Sequence, residues 1–348
     1  MKDIQDYSLL AHNTFGIDAK CKRFLEYASV EEARQVVAGF TADDDPLLII
    51  GGGSNLLLTQ DYPGTVLHSA IKGIKVLDDE EMKKLGAAMD GKSVFLECGS
   101  GEVFDDVVAF CVDHGFYGAE NLSIIPGEVG ASAVQNIGAY GVEAKDIIFK
   151  VEAVEIATGK WVVFDNSQCE YSYRQSKFKR EWRDKYLITH VVYKLSKTFT
   201  PDLEYGNIKG ALAAKGIECP SAQQLRDTII EIRNAKLPDP KVLGNAGSFF
   251  MNPIVAKDKY EELAARYPGM PHYPVDENRE KIPAGWMIDQ CGWKGKNLGR
   301  AGVYDKQALV LVNLGGATGM DIVNLCDAIR KDVKLRFGID IHPEVNVK

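Results

Sequence analysis

Apolar positions recur along this chain with two different periods, and the changes of period predict the order of its elements. Residues 31–40 and 103–114 have apolar side chains three or four positions apart, which predicts amphipathic helices. Leu47–Ile50 is a short apolar run typical of a buried strand. Residues 147–165 and 186–195 are rich in β-branched and aromatic residues, which predicts a hairpin and a further strand. The first part of the chain therefore predicts an α+β fold.

The pattern changes after residue 220. Ser221 followed by Gln224 is a capping-box pattern that predicts the start of a helix. The two prolines in 236–240 end that helix and predict a domain boundary there. The elements predicted beyond it are helices at 257–266, near 284–291 and at 318–337, and strands at 307–313 and 339–345.

Two glycine clusters interrupt these elements. Residues 125–141, IPGEVGASAVQNIGAYG, are too rich in glycine and small residues for an ordinary helix or strand, so we expect a loop. Gly51–Asn55, GGGSN, follows the apolar run at 47–50. Each cluster alone is also compatible with a tight surface turn. Together they predict one long diphosphate ligand that backbone N–H groups hold from two sides.

Composition narrows the classes of function. The chain has 348 residues, 45% of them hydrophobic and 26% charged, which is typical of a globular protein with two or three domains. The net charge of −8 argues against a nucleic-acid partner. No apolar run suits a membrane span or a signal peptide, and the seven cysteines are scattered, so we expect a cytoplasmic protein with free thiols. The histidines lack metal-ligand spacing, so no metal site is predicted.

Three further segments carry candidate chemistry. Arg174, in YSYRQSKFK, could meet a carboxylate or stabilise an enolate, or it could belong to a solvated basic turn. Ser248 follows Gly247 on a constrained backbone. Because no GxSxG elbow surrounds it, Ser248 fits a proton donor or ligand contact better than a hydrolase nucleophile. Composition alone would make Glu344 an ordinary glutamate at the end of a strand.

Taken together, the motifs resemble the UDP-N-acetylenolpyruvoylglucosamine reductase family from residue 13 to residue 345. The segments that carry the resemblance are NTFG at 13–16, GGGSN at 51–55, the glycine-rich 125–141, YRQSKFK at 173–179, KLPDPKVLGNAGSFFMNP at 236–253, AGWMIDQCGWKG at 284–295, QALVLVN at 307–313 and HPEV at 342–345. Tyr205-Gly206 and 254–283 are similar to the longer form of the family, in which a loop carrying a tyrosine closes over the substrate.

The resemblance implies a fold in three parts. Two FAD-binding subdomains of the vanillyl-alcohol-oxidase type would comprise 1–70, joined by the last strand at about 339–348, and 71–237. An α+β substrate-binding domain would comprise 238–338. The resemblance further implies non-covalent FAD, NADPH as the hydride donor, a UDP-sugar substrate, and no membrane partner. We expect the chain to act as a monomer.

The family's site residues can be placed on this sequence one by one. Arg174, Ser248 and Glu344 match the catalytic positions, the arginine and the glutamate as electrostatic stabilisers and the serine as the proton donor. The cofactor-binding positions are Gly51, Gly52, Gly53, Ser54, Asn55, Leu56, Ser123, Ile124, Pro126, Gly127, Gly130, Ala131, Ser132, Asn136, Gly138, Gly141, Val142 and Arg233. The substrate-binding positions are Tyr140, Tyr173, Tyr205, Lys236, Asn252, Tyr273 and Gln307.

The implied reaction reduces the enolpyruvyl ether of UDP-N-acetylglucosamine to UDP-N-acetylmuramate, a precursor of peptidoglycan. Two alternatives stay open at this point. One is another FAD-dependent oxidase of the same fold, although GGGSN has no histidine for the covalent flavin link that many of those enzymes use. The other is a non-catalytic flavoprotein that binds nucleotide-sugars. Such a protein would not need Arg174, Ser248 and Glu344 together.

Overall fold

A computed structural model describes residues 1–348 and divides the chain into two compact units. The first unit comprises Met1–Tyr7, Cys21–Gly52 and Pro63–Ala235. The second unit comprises Ser8–Lys20, Gly53–Tyr62 and Lys236–Lys348. The chain therefore passes between the units several times, and the division into three domains stays a prediction.

Helices and strands occur in both units. The helices are α1 Val30–Ala38, α2 Asp79–Lys84, α3 Phe104–His114, α4 Val129–Gln135, α5 Ile208–Ala214, α6 Ala222–Lys236, α7 Lys257–Arg266, α8 Ala284–Gln290 and α9 Gly319–Phe337. The strands are β1 Lys2–Ser8, β2 Lys20–Tyr27, β3 Leu47–Ile50, β4 Leu56–Leu57, β5 Tyr62–Ser69, β6 Ile74–Val76, β7 Ser93–Gly99, β8 Gly138–Ala139, β9 Val142–Glu143, β10 Ile148–Glu155, β11 Trp161–Asp165, β12 Tyr186–Ser196, β13 Gly244–Ser248, β14 Ile254–Ala256, β15 Tyr273–Asp276, β16 Arg279–Lys281, β17 Asn297–Leu298, β18 Ala301–Val303, β19 Val310–Asn313 and β20 Asn346–Val347. None of the helices combines the length and the apolar character that crossing a membrane requires.

Two sheets form the centre of the first unit. One has the strand order β1-β2-β5-β3, and the other has the order β11-β10-β12-β7-β6. In the second sheet, Val191, Tyr193 and Leu195 are alternate residues of β12, and all three are buried in one core with α3. The helix ends at Gly115, whose φ of +71° suits a left-handed cap. The predicted hairpin and helix of this region are confirmed.

The second unit contains a four-stranded sheet, β13-β19-β18-β17, and a three-stranded sheet, β14-β16-β15. The longest helix, α9, begins with a capping box between Thr318 and Asp321 and buries an apolar stripe at three- and four-residue spacing. β20 pairs in parallel with β4, so the last residues of the chain lie beside the end of the first glycine cluster.

Two sequence-based expectations are wrong. Residues 129–135 form a short helix, although we expected a loop throughout 125–141. Gly130 lets this helix pack closely on Ser100, because a Cβ at position 130 would lie only 3.0 Å from the Cβ of Ser100. The predicted strand at 339–345 is reduced to one isolated bridge at Pro343, since proline has no N–H to extend a ladder.

Candidate active site

In the first unit, the first glycine cluster lies against the start of α4. A Cβ at Gly51 would be 3.2 Å from the Oε2 atom of Glu128 and 3.3 Å from the Cβ of Ala131. A Cβ at Gly52 would be 3.8 Å from the Cα of Gly127. The structure therefore brings the two glycine clusters together, and Gly51 and Gly52 put no side chain between them.

The rest of this loop belongs to the second unit. Gly53 has a φ of +65°, and a Cβ there would overlap the carbonyl oxygen of His12, so only glycine fits. Asn55 donates from its Nδ2 atom to the carbonyl oxygen of Glu344 at 3.3 Å. Ser54 precedes Asn55, and Leu56 pairs with Asn346. The predicted cofactor loop and the predicted catalytic glutamate are thus joined by a hydrogen bond from the Asn55 side chain to the Glu344 backbone.

The segment before α4 is held by polar contacts within the first unit. Ser123 is buried and its hydroxyl donates to the carbonyl oxygen of Glu120 at 2.6 Å. Ile124 has a φ of +48°, and its N–H donates to the Oδ1 atom of Asp105 at 2.6 Å. Pro126 is exposed and precedes Gly127, which has a φ of +122°. The hydroxyl of Ser123 and the N–H of Ile124 are thus both taken up by protein partners, which fix the segment just before Gly127.

The segment after α4 is equally constrained. Asn136 is fully buried with a φ of +45°, and its Nδ2 atom donates to the carbonyl oxygen of Ser172 at 2.9 Å. Its Oδ1 atom accepts from the N–H of Lys145 at 3.0 Å. Inside α4, the hydroxyl of Ser132 lies 2.7 Å from that of Tyr193. Asn136 and Ser132 therefore shape the site, and their side chains are already hydrogen-bonded.

Two arginines lie close to this segment. The Nη2 atom of Arg174 donates to the carbonyl oxygen of Gly138 at 2.7 Å, and its guanidinium lies 5.5 Å from the ring centroid of Tyr173. Arg233, on α6, has a buried Nε atom with no hydrogen-bond partner. Burial lowers the pKa of Arg233, and the positive charge of Arg174 lowers it further, against the opposing effects of Tyr140 and Asp105. Two partly buried cations near each other favour an anionic or electron-rich ligand.

Two predicted substrate tyrosines also meet in the first unit. A Cβ at Gly141 would lie 3.3 Å from the Cβ of Tyr205, and a Cβ at Gly206 would lie 3.4 Å from the ring of Tyr140. The carbonyl oxygen of Tyr140 accepts from the Nδ2 atom of Asn121 at 2.8 Å. Val142 follows Gly141 in the β8–β9 hairpin. The predicted tyrosine loop therefore packs on the end of the second glycine cluster.

Backbone pairing brings Ser248 and Glu344 close together in the second unit. Ser248 is exposed at the end of β13, and the two following phenylalanines are buried. Phe249 donates its N–H to the carbonyl oxygen of Leu309 and accepts from the N–H of Glu344 at 2.8 Å. The strand thus fixes the backbone on both sides of the serine hydroxyl.

Other predicted substrate residues surround the start of α8. The Oδ1 atom of Asn252 accepts from the N–H of Ala284 at 2.9 Å. Gln307 lies close to Gly285: a Cβ at position 285 would be 3.1 Å from the Oε1 atom of Gln307. Tyr273, on β15, and Lys236, at the end of α6, are exposed.

Sequence reasoning missed a charged cluster beside the first glycine loop. The Nδ1 atom of His68 lies 3.0 Å from Glu26, and its Nε2 atom lies 3.2 Å from Glu128. Burial opposes the protonated ring, but the hydrogen bonds and charges of Glu128 and Glu26 outweigh it, so the pKa of His68 is raised. When protonated, His68 offsets the charge of Glu128, the carboxylate next to Gly51. No sequence spacing signals this cluster, because its three members come from distant segments.

These residues fit the FAD that the glycine clusters imply. A Cβ at Gly51 would fill the space beside Glu128 and Ala131, and the buried Nε atom of Arg233 still lacks a hydrogen-bond acceptor. A flavin offers carbonyl oxygens and ring nitrogens as acceptors, and its diphosphate suits N–H groups.

Two family models match the chain. The FAD binding domain model matches residues 22–165, and the model of the UDP-N-acetylenolpyruvoylglucosamine reductase C-terminal domain matches residues 239–348. The predicted α+β fold, with FAD-binding and C-terminal substrate domains, is confirmed.

Whole-chain relatives agree with these models. A UDP-N-acetylenolpyruvoylglucosamine reductase of Bacteroides fragilis is 55% identical over 98% of this chain and 99% of its own length. One from Porphyromonas gingivalis is 46% identical over 98% of both chains. The crystal structure of the reductase from Thermus caldophilus superposes with a TM-score of 0.66, covers 99% of this chain and 98% of its own, and shares 21% identity, so it shows the fold. This chain belongs to the UDP-N-acetylenolpyruvoylglucosamine reductase family.

Proposed function

We propose that this protein uses NADPH and FAD to reduce the enolpyruvyl ether of UDP-N-acetylglucosamine to UDP-N-acetylmuramate. The observation that carries the proposal is identity of 55% to a named reductase across 98% of the chain. The local geometry of the predicted site residues supports it in both units.

In the first unit, Gly51, Gly52 and the segment 123–142 would line the cofactor, and the glycines would let it approach the backbone closely. Arg233 would supply its unpaired Nε donor to the flavin ring. Bound FAD would supply the redox chemistry, as the carrier of a hydride from NADPH to the enolpyruvyl double bond.

Arg174 is the group in this unit that suits the substrate carboxylate. Its Nη2 atom is anchored on the carbonyl oxygen of Gly138 at 2.7 Å, which orients the guanidinium and restricts its rotamers. Negative charge that develops on the carboxylate side of the substrate would be stabilised by a cation that needs no reorganisation.

Ser248 is the proposed proton donor to the carbon of the enolpyruvyl double bond that does not receive the hydride. Its backbone is fixed by the pairing of Ser248 with Val310 and of Phe249 with Leu309, which limits the positions that its exposed hydroxyl can reach. A serine is a weak acid and needs a strongly basic, carbanion-like acceptor. Glu344 would have to carry or share a proton to assist, because an ionised carboxylate would repel the developing negative charge.

The decisive experiment separates the two half-reactions with Ser248→Ala. We expect NADPH to reduce the flavin at the wild-type rate, and reoxidation by the enolpyruvyl substrate to slow by about 10²–10⁴-fold because the general acid is lost. Stopped-flow flavin absorbance measures both rates. Ser248→Cys is the matched control, since a thiol keeps a transferable proton, and it should retain more of the reoxidation rate than the alanine variant. Unchanged reoxidation in the alanine variant would refute the assignment.

A second test addresses the two rival functions. Acid precipitation should release the flavin into the supernatant, whereas colour that stays with the protein would indicate a covalent oxidase cofactor. NADPH oxidation should depend on the enolpyruvyl nucleotide-sugar. Binding of that nucleotide-sugar without any NADPH oxidation would favour a non-catalytic binding protein.

The proposal extends to the state and location of the protein. All seven cysteines are free, which suits a reducing cytoplasm. We further propose that the protein acts as a monomer. Sedimentation equilibrium should give the mass of one chain.

A further inference from the structure

Ile124 has an unusual backbone conformation in the predicted cofactor segment. Its φ of +48° lies in the left-handed region, where a β-branched residue is strongly disfavoured. A residue in this conformation persists only when surrounding contacts hold it there. The contacts around Ile124 should therefore identify what keeps the segment in place.

One carboxylate provides the main polar contact. Asp105, in the first turn of α3, accepts from the N–H of Ile124 at 2.6 Å. The same carboxylate accepts from both Nη atoms of Arg226, at 2.7 and 3.0 Å. This bidentate pair fixes the orientation of the carboxylate, and Arg226 is 8% exposed, so solvent screens the pair only weakly.

The pair also connects the segment to a second predicted cofactor residue. Arg226 and Arg233 are both on α6, seven residues or about two turns apart. The charge of Asp105 acts on Arg233 as well, where it opposes the fall in pKa caused by burial. Asp105 therefore contacts three elements: its own helix α3, the segment at Ile124 and the helix that carries Arg233.

We propose that Asp105, oriented by Arg226, is a positioning residue for the FAD site that holds Ile124 in its left-handed conformation and so fixes the segment 123–127. The proposal rests on the proposed assignment of that segment to FAD. Asp105 does not touch the reacting atoms in this role, and it acts through the backbone of its neighbour.

The test compares four variants of the full-length holoenzyme: Asp105→Ala, Ile124→Gly, the double variant and Asp106→Ala. FAD release after dilution is followed by the rise in flavin fluorescence. We expect Asp105→Ala to release FAD about tenfold faster, because nothing then holds the strained residue. Glycine adopts positive φ freely, so Ile124→Gly in the Asp105→Ala background should restore most of the wild-type rate. The exposed neighbour Asp106 is the control and should stay within about twofold of wild type.

Rescue by Ile124→Gly distinguishes positioning from a general structural role. If Asp105 only tied α3 to α6, the glycine at position 124 would rescue nothing, and this result would overturn the proposal. Wild-type release from Asp105→Ala would overturn it as well.

Asp105→Asn keeps the test usable if the alanine variant does not fold. It retains the Oδ1 atom that accepts from the N–H of Ile124 and from Nη1 of Arg226, and it loses only the charge and the second contact with Arg226, so its release rate should stay close to wild type. Release about tenfold faster than wild type from Asp105→Asn would show that the ion pair, and not the contact with Ile124, is what matters. The rates of FAD release test the positioning role alone. A holoenzyme that retains FAD but fails to oxidise NADPH with the enolpyruvyl substrate would contradict only the proposed reaction.

Discussion

The two units hold their predicted site residues in different ways. Seven non-glycine residues have positive φ, and all seven lie in the first unit. Four of them are predicted site residues: Ile124, Asn136, Tyr140 and Arg174. In the second unit, every residue with positive φ is a glycine, including Gly247 just before Ser248.

The difference shows where each unit obtains its site geometry. A glycine makes a left-handed turn at no steric cost, so the turn at Gly247 before Ser248 needs no distant contact to hold a strained residue. A non-glycine residue costs about 1–3 kcal/mol in that conformation and needs help from distant residues. Asp105 helps Ile124, and Asn121 helps Tyr140. The first unit therefore depends more on tertiary contacts for the shape of its site.

Buried ionisable groups extend the same contrast. The first unit buries His68, Glu120 and Glu152, and the pKa of each is raised. For Glu120 and Glu152 the main cause is burial, while hydrogen-bonded carboxylates raise the pKa of His68 against the effect of burial. We therefore expect the pH dependence of stability to arise largely in the first unit.

The largest effect should come from Asn136→Ala. The variant loses the hydrogen bonds of a fully buried side chain. Alanine still has a Cβ at this positive φ, and it has no polar group to hold that conformation. We expect the free energy of unfolding to fall by about 3–5 kcal/mol. Asn136→Gly loses the same hydrogen bonds without the backbone strain, so its loss should be about 1 kcal/mol smaller. Guanidinium unfolding measures both, and equal losses would show that strain at this position is unimportant.

A smaller effect is expected from Glu152→Gln. Burial, together with the neighbouring charge of Glu97, raises the pKa of Glu152 to about 7. The folded state therefore holds this proton up to a higher pH than the unfolded state does. Its contribution to stability is fully present below about pH 4.5, the usual range of glutamate, and is lost as the pH rises through about 7.

Glutamine carries no ionisable proton, so the variant should lose less stability than wild type between pH 5 and pH 8. The difference should be on the order of 2 kcal/mol. Unfolding free energies at the two pH values measure it. Parallel pH curves for the two proteins would contradict the assignment of this pH dependence to Glu152.

The smallest effect should come from Gly247→Ala in the second unit. No atom lies within 4 Å of the new Cβ, so the cost is the backbone strain at a φ of +69°. We expect a loss of about 1 kcal/mol in the free energy of unfolding. A loss as large as that of Asn136→Ala would show that the turn before Ser248 depends on more than the glycine, and the contrast between the units would fail.

Much of the fold follows from local sequence. The capping box at Thr318, the glycine that ends α3, and the apolar spacing of α6 all have the predicted structure because their causes lie within one or two helical turns. The helix at 129–135 was missed for the opposite reason. Its close packing on Ser100 depends on a residue about thirty positions earlier in the sequence, and composition alone favoured a loop.

By itself, the sequence determined several of the helices and strands, the two glycine clusters and, through its motifs, the family and the cofactor. Those features depend on residue type and spacing, which are local properties. Only the tertiary structure decided what surrounds the clusters: Glu128 and His68 beside Gly51, Asp105 and Arg226 behind Ile124, and Glu344 next to Ser248. The members of each of these sets come from distant parts of the chain, and their hydrogen bonds and charges act only over the few ångströms that folding creates.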